Sequence, residues 1–344
     1  MTRNTPTINP ACTSGNFTYV GQPFMYATSP VLTVTARNTS GSPTLNYSGT
    51  SPAAQAWWKV TNASLSGKSY TAAAPGALDI SGSPGTDPVI VSTGNGTGTL
   101  TFSSGTGLLF TRSTVTPVIP FDADISLAIN VVDTDTTVVA NIDGVAGVNP
   151  VQFGTATAGN GIAFVGGAPA KQMRFGRMRL NNAFGSTLLD LPLPLSIESY
   201  TSAGVFATNT ADSCTTLQGS DLRFAYLAGT PNLVACETAI NPGTTIYFVG
   251  GKASTTAPPT LTPARLIKPG SSNDGSVDLA INLNGIAGNR CTSVGAAGGA
   301  ATNASKPWLR GNWGSTTYDS DPTGRATFGV FKSADEFIYL REVY

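Results

Sequence analysis

The sequence predicts an all-β fold of antiparallel sandwiches, and three observations carry that prediction. Short β-branched or apolar runs recur at intervals of about ten residues along the whole chain. Between them stand clusters of Gly, Pro, Asn, Ser and Asp, drawn from 39 glycines and 23 prolines, residues that sit badly inside helices. Sustained helical periodicity is missing; the one breaker-free stretch, 53–65 (AAQAWWKVTNASL), has room only for a helical turn or two. Many short strands with regular turn signals point to tandem immunoglobulin-like antiparallel β-sandwich domains.

The elements follow in order. Residues 17–24 (FTYVGQPF) form an aromatic-rich opening strand. In 31–36 (VLTVTA), Leu32, Val34 and Ala36 fall on one side and Val31, Thr33 and Thr35 on the other, a β-branched strand with one apolar face. Residues 89–91 and 100–102 flank GNGTG as two strands flank a hairpin loop. The runs 126–132 (SLAINVV), 171–180 (KQMRFGRMRL), 195–200 (LSIESY), 222–227, 245–249 and 276–283 (SVDLAINL) read as further strands. A final hairpin, 326–330 and 337–344 around FKSADE, would tie the C-terminus into a sheet.

A chain of 344 residues with 40% hydrophobic and 11% charged residues is long and apolar enough to fold around two or three cores. Residues 17–42 and 173–204 share one plan, an aromatic strand, an apolar strand and a polar turn, and this places a boundary near GGAPA at 166–170. The expected organisation is a flexible N-terminal segment at 1–11, a sandwich region at 12–168 with room for two subdomains, and a sandwich region at 169–344 with disulfides and the C-terminal hairpin.

Lys and Arg number 19, as do Asp and Glu, so no net field draws in nucleic acid or anionic lipid. No run reaches the ~18 apolar residues of a membrane-spanning helix. The opening MTRNTPTINP has no apolar core, so export is expected from the body of the sequence, which would be part of a longer precursor. A surface of hydroxyls and amides with few charges fits an extracellular or outer-surface location reached through the periplasm.

The four cysteines, Cys12, Cys214, Cys236 and Cys291, form no CxxC, and the chain has no histidine, which argues against a zinc site. Disulfides in an oxidising compartment fit better. Of three pairings, Cys214 with Cys236 closes a short loop and is favoured, leaving Cys12 with Cys291 as a long-range staple.

Without histidine, neither a Ser-His-Asp nor a Cys-His arrangement can be built, so no enzyme is expected. Asp122 and Asp124 lie two apart and would share a strand face, as would Asp133 and Asp135. They read as turn and edge acids, or, with Asp143, as oxygen ligands converging on calcium. Their spacing departs from the EF-hand loop. Asp319 and Asp321 make a second acidic loop.

Trp57 and Trp58 are adjacent, so on a strand one points in and one out, free to stack on a sugar or to seal a contact. Trp308 and Trp313 sit in WLRGNWG and would pack over a sandwich end, with Arg310 on one indole, as second candidates for a sugar or protein contact. Arg177 and Arg179 share a strand face opposite Arg174; pairing with Glu198, Asp190 or a neighbouring domain explains them, with Phe175 in the core. Sequons at Asn16, Asn38, Asn46, Asn62 and Asn303 are expected by chance at this density of Asn, Ser and Thr.

Several long blocks carry a family likeness: FTYVGQPF, LTVTARN at 32–38, FDADISLAI at 121–129, and MRFGRMRLNNAFGSTLLDLPLPLSIESY at 173–200. DSCTTL at 212–217, WLRGNWG at 308–314 and ATFGVFKSADEFIYLREVY at 326–344 extend it to the end. From Cys12 onward the chain resembles the C-terminal region of MshQ-like proteins, associated with biogenesis of mannose-sensitive haemagglutinin type IV pili. The resemblance implies a large exported protein of a Gram-negative bacterium with a lectin-like sandwich upstream, and supplies no catalytic residues. Where that pattern has an acidic turn after the position of Trp313, this chain has GSTTYDSDP, poorer in acid. The expected function is a structural or adhesive module contacting pilus or other cell-surface proteins, or a host or environmental glycan. The alternatives are a carbohydrate-binding or carbohydrate-active module and a self-associating filament subunit that pairs strands between copies.

Overall fold

The computed structural model describes residues 1–45, 68–73, 75–85, 88–131, 141–142, 145–146, 150–226, 232–240, 243–284 and 288–329. Among them the protein is β throughout, with three short 3-10 turns and no α-helix. The sequence-based class of antiparallel β-sandwich domains is the class of the structure. The breaker-free stretch at 53–65 and the last strand of the expected C-terminal hairpin lie outside the described residues.

The chain divides into two units. One comprises Met1–Gly176 with Ser199–Cys214, the other Arg177–Glu198 with Thr215–Tyr344. The expected cut at 168/169 is therefore corrected: the first crossing comes at Gly176, and a later segment of chain returns to the first unit.

In the first unit, four antiparallel strands run in the order Thr2–Arg3, Val31–Thr35, Thr97–Thr101 and Val91–Gly94. Leu32 and Val34 are buried while their neighbours are half-exposed, as the alternation predicts, and Leu32 faces Leu100 across the ladder. The turn between Val91–Gly94 and Thr97–Thr101 has positive φ at Asn95 (53°) and Gly96 (72°), the type I′ geometry whose twist matches that of the flanking strands. A Cβ on Gly96 would also lie 2.5 Å from the Thr44 carbonyl oxygen, so glycine is required there twice over.

A second sheet centres on Asp124–Ile129, flanked antiparallel by Ser69–Ala73 and Val151–Phe153. This central strand is buried on both sides, and Ser126 meets its hydrogen-bonding need through Thr71 at 2.7 Å. Ile125, Leu127 and Ile129 join Phe24, Phe110, Phe153 and Phe164 in one apolar cluster.

The expectation of a flexible 1–11 segment does not hold. Thr7–Asn9 pairs with Met25–Thr28 on one side and, in parallel, with Ala163–Phe164 on the other, and Ile8 is fully buried. A buried isoleucine with both neighbouring ladders made has no freedom left to fray. The run 171–180 is also two strands, Gln172–Arg174 and Gly176–Leu180, separated at the buried Phe175.

One sheet, mainly of second-unit residues, orders Gly176–Leu180, Leu195–Tyr200, Lys252–Ser254, Thr245–Val249 and Thr216–Gln218. Another orders Ala183–Gly185, Thr323–Phe328, Gly275–Ile281 and Leu222–Tyr226; its first pairing is parallel and the others antiparallel. Gly275–Ile281 alternates buried and half-buried residues along its whole length, the period-2 signature of a strand with one face on a core. A hairpin, Asn289–Ser293 with Ala296–Ala300, belongs to the same unit.

Candidate functional site: an arginine-lined groove

The outward side chains of the second sheet in the second unit fall into two cross-strand rows. Arg223 stands opposite Ala280, and Ala280 opposite Thr323; Ala225 stands opposite Asp278, and Asp278 opposite Arg325. Ala225 and Ala280 keep the floor low beside Arg223 in one row and the Asp278–Arg325 pair in the other. Gly288, Arg290, Cys291, Ala297 and Gly298 of the hairpin supply a wall, and Asn182 and Asn289 add amides. The resulting open groove has a volume of about 990 Å³.

The wall is anchored. Cys236 and Cys291 form a disulfide with Cα atoms 5.5 Å apart, and the Gly295 N–H donates to the Cys236 carbonyl at 2.7 Å. The Tyr226 hydroxyl donates to the Thr238 carbonyl at 2.6 Å; burial pushes this phenol's pKa up, so it stays a neutral donor. A Cβ on Gly288 would come within 2.4 Å of Arg223 Cδ, so the arginine stem lies directly on that glycine.

The three arginines differ in how they are engaged. Arg325 donates through Nε and Nη2 to the two oxygens of Asp278 at 2.7 and 3.1 Å, a bidentate pair. Arg223 reaches Asp321 at 3.1 Å, and Arg310 approaches the same carboxylate at 3.5 Å. Burial raises the Asp321 pKa, opposed by Arg223, the Leu283 N–H and Arg310. Arg290 makes no ion pair among the described residues, and its buried Nε meets no acceptor. Arginine side chains facing a concave surface of small residues form a receptor for anions, with geometry suited to planar carboxylates or to sulfates.

The residues singled out from sequence lie elsewhere, except for two cysteines. All four cysteines are oxidised, but in a corrected pairing: Cys12 bonds Cys214 and Cys236 bonds Cys291. Proximity in sequence misled the expected pairing, because β topology brings residues 55 and 202 positions apart to bonding distance.

Asp122 and Asp124 do not share a face toward solvent: Asp122 is exposed, and Asp124 is 3% exposed. Asp124 accepts from Lys171 Nζ at 2.6 Å and from the Gly159 and Gly161 N–H groups at 2.8 and 3.2 Å. Asp124 thus serves here as the buried acceptor of an ammonium group and two amides. Asp133, Asp135 and Asp143 lie outside the described residues, as do Trp57 and Trp58. Among the described residues no three acids, cysteines or histidines converge as metal ligands. Asp319 accepts from the Thr317 hydroxyl, whereas Asp321 is the buried partner of Arg223 and Arg310.

Trp308 and Trp313 are half-buried, and neither lines the groove. Arg177, not Arg310, lies over the Trp313 ring at 4.7 Å, and Lys306 lies 6.0 Å from the Trp308 centroid. Each of these indoles has a cation on one face. Arg177 and Arg179 both pair with Glu198, at 2.7 and 3.2 Å, as their shared strand face predicts.

In the first unit, the Tyr19 hydroxyl donates to Asp212 at 2.7 Å and accepts from Asn209 at 2.7 Å, while Arg174 reaches Asn209 and lies over the Phe17 ring. Burial, then the charge and hydrogen bond of Asp212, hold the Tyr19 pKa well above its ordinary value. With Cys12–Cys214 alongside, this is a structural clasp with its donors and acceptors matched.

Sequence reasoning missed the groove arginines. The pattern LRFAY at 222–226 does place Arg223 and Ala225 on the face opposite Leu222 and Phe224, but only strand order shows that Asp278 and Arg325 join them.

Fold and site together define a disulfide-stapled, two-unit all-β module with an open polar groove. The chain belongs to the DUF6701 family: residues 1–155 match DUF6701, third domain, and residues 174–343 match DUF6701, fourth domain. No curated protein matches it. Among solved structures, the Yersinia pseudotuberculosis adhesin InvE is similar at 13% identity with a TM-score of 0.22, over 88% of this chain. This chain spans 54% of that protein's length.

Proposed function

We propose that the chain is a non-catalytic module of the outer cell surface, exported through the periplasm, that acts by non-covalent contact with a surface protein or a glycan. The observation that carries this reading is the groove. Its floor is a β-sheet and its wall a disulfide-anchored hairpin, so it is held open without a ligand, as a recognition surface requires. Two disulfides and the scarcity of charge favour an oxidising, extracellular setting. Among the described residues no helix is long and apolar enough to cross a membrane. The finer reading, a part of an MshQ-like protein acting in type IV pilus biogenesis in a Gram-negative bacterium, rests on the blocks at 17–24, 32–38, 121–129, 173–200, 212–217, 308–314 and 326–344.

The test is retention of beads coated with the oxidised chain on bacterial cells, purified pili and glycan-coated surfaces, alongside an assay for release of reducing sugar. Retention above albumin-coated beads without sugar release supports the module. Sugar release above a buffer blank would replace it with a carbohydrate-active enzyme, and no retention on any surface would reject recognition by this chain.

One observation favours self-association as a second reading. Ala183–Gly185 is an edge strand among the described residues, with Phe184 71% exposed and Leu188 and Leu189 also exposed just beyond it. Exposed edges invite pairing with a second copy. Light scattering on size-separated protein, with calcium and after chelation, distinguishes the two. A monomer in both conditions rejects the filament; assembly that depends on calcium would favour it and point to a metal site.

A further inference from the structure

Resting on the surface-module reading, we propose that the groove of the second unit binds an acidic polysaccharide, its carboxylates held by Arg290 with Arg223 and Arg325. Three arginines and one aspartate line the groove, and the aspartate is already engaged by Arg325. The remaining charge of the lining is positive although the chain as a whole is neutral. Among the described residues Arg290 makes no ion pair and its Nε has no acceptor, and it stands beside the disulfide that fixes its strand. A neutral ligand would leave that group unpaired, whereas a carboxylate satisfies it with two parallel N–H donors.

The floor favours a sugar chain over an acidic peptide. Ala225, Ala280, Gly288, Gly298 and Gly324 offer no side-chain pockets, and Asn182, Asn289 and Thr323 supply donors and acceptors for hydroxyls. Peptide recognition draws its specificity from pockets for alternate side chains. A chain of saccharides with a carboxylate on each ring needs only a shallow channel, hydroxyl partners and fixed cations. Arg223, held between Gly288 and Asp321, and Arg325, held by Asp278, are preset, so binding orders few side chains.

The probe is a polygalacturonate oligosaccharide titrated calorimetrically into the full oxidised chain, with dextran and a poly-glutamate peptide of similar length for comparison. Expected are saturable binding of polygalacturonate that weakens with salt, no binding of dextran, and affinity for poly-glutamate at least tenfold lower. R290A should weaken binding by about tenfold or more. K252A, which removes a positive charge from an exposed residue outside the groove, should leave it unchanged. Arg290 is partly exposed, and equal thermal midpoints for R290A and the parent would show that the fold is intact. Unchanged binding in R290A, equal or tighter binding of poly-glutamate, or no binding of polygalacturonate would each overturn the proposal. The bead assay separates the two levels: if R290A beads keep their retention on cells or pili, the module reading stands and only the glycan assignment falls.

Discussion

At the residue scale, burial decides what a charged side chain is for. Asp124 reads in sequence as one of a pair of acids, and its spacing to Asp122 is real. What sequence does not reveal is that Lys171, 47 positions on, donates to it from the last residue of a 3-10 turn, just before a strand that pairs with Phe121–Asp122. Burial alone would raise the Asp124 pKa; the Lys171 hydrogen bond, the Gly159 and Gly161 N–H groups and the Lys171 charge outweigh it and hold the pKa below the ordinary value. A folded pKa below the unfolded one gives stability that is fully present above about pH 4, the unfolded aspartate value, and is lost as pH falls through the folded pKa. D124N should therefore lower stability by about 3 kcal/mol at pH 7, because Lys171 is left nearly buried without its counter-charge. The deficit should shrink toward pH 2. Urea midpoints of parent and variant across pH 2–7 provide the check, and a deficit independent of pH would mean that the ion pair is not its source. The Glu198 pairing was legible, by contrast, because Arg177 and Arg179 sit two apart on one strand and no topology was needed to align them.

At the element scale, strands and local turns were the most readable part of the chain. Leu195–Tyr200 and Thr245–Val249 have the limits that their patterns predict, and within GNGTG the turn falls on Asn95–Gly96, because Asn and Gly sit most easily at two successive positive φ values, while the flanking strands reach further into GNGTG than expected. The cysteine pairing was not readable, since it depends on which strands become neighbours. The Cys236–Cys291 bond closes a loop of 55 residues and, in the chain-entropy view, contributes about 4 kcal/mol. C236S/C291S should lower the unfolding free energy of the second unit by that order, read as a lower denaturant midpoint, and loosen the groove wall. Hydrogen exchange of the amides in Asn289–Ser293 and Ala296–Ala300 should rise sharply in this variant, while those of Val31–Thr35 should stay protected. Equal loosening of Val31–Thr35 would show that the disulfide acts on more than its own unit.

At the scale of the whole molecule, the family domains and the packed units do not coincide. The third-domain match ends at residue 155 and the fourth-domain match begins at 174, close to the boundary that GGAPA suggests. Yet Ser199–Cys214, within the fourth-domain match, belongs to the first unit and brings Asp212, Asn209 and Cys214 to Tyr19 and Cys12. Nothing local marks 199–214 as a returning segment; its few residues have a turn-and-strand pattern like any other. The consequence is that a cut at the sequence boundary should not release a folded domain. A fragment of residues 1–168 leaves the Tyr19 hydroxyl without its two partners and Phe17 without the Arg174 guanidinium, and it opens a disulfide spanning 202 positions, about 5 kcal/mol in the same entropic view. Those losses together rival the whole stability of a domain, typically 5–15 kcal/mol. The fragment 1–168 should show no cooperative thermal transition and a titratable Cys12 thiol. A fragment of residues 1–214 regains Met173, Phe175 and the clasp, and should melt cooperatively with Cys12 oxidised. If 1–168 instead melts as sharply as 1–214, the returning segment is an ornament on a self-sufficient domain and the sequence boundary is the physical one.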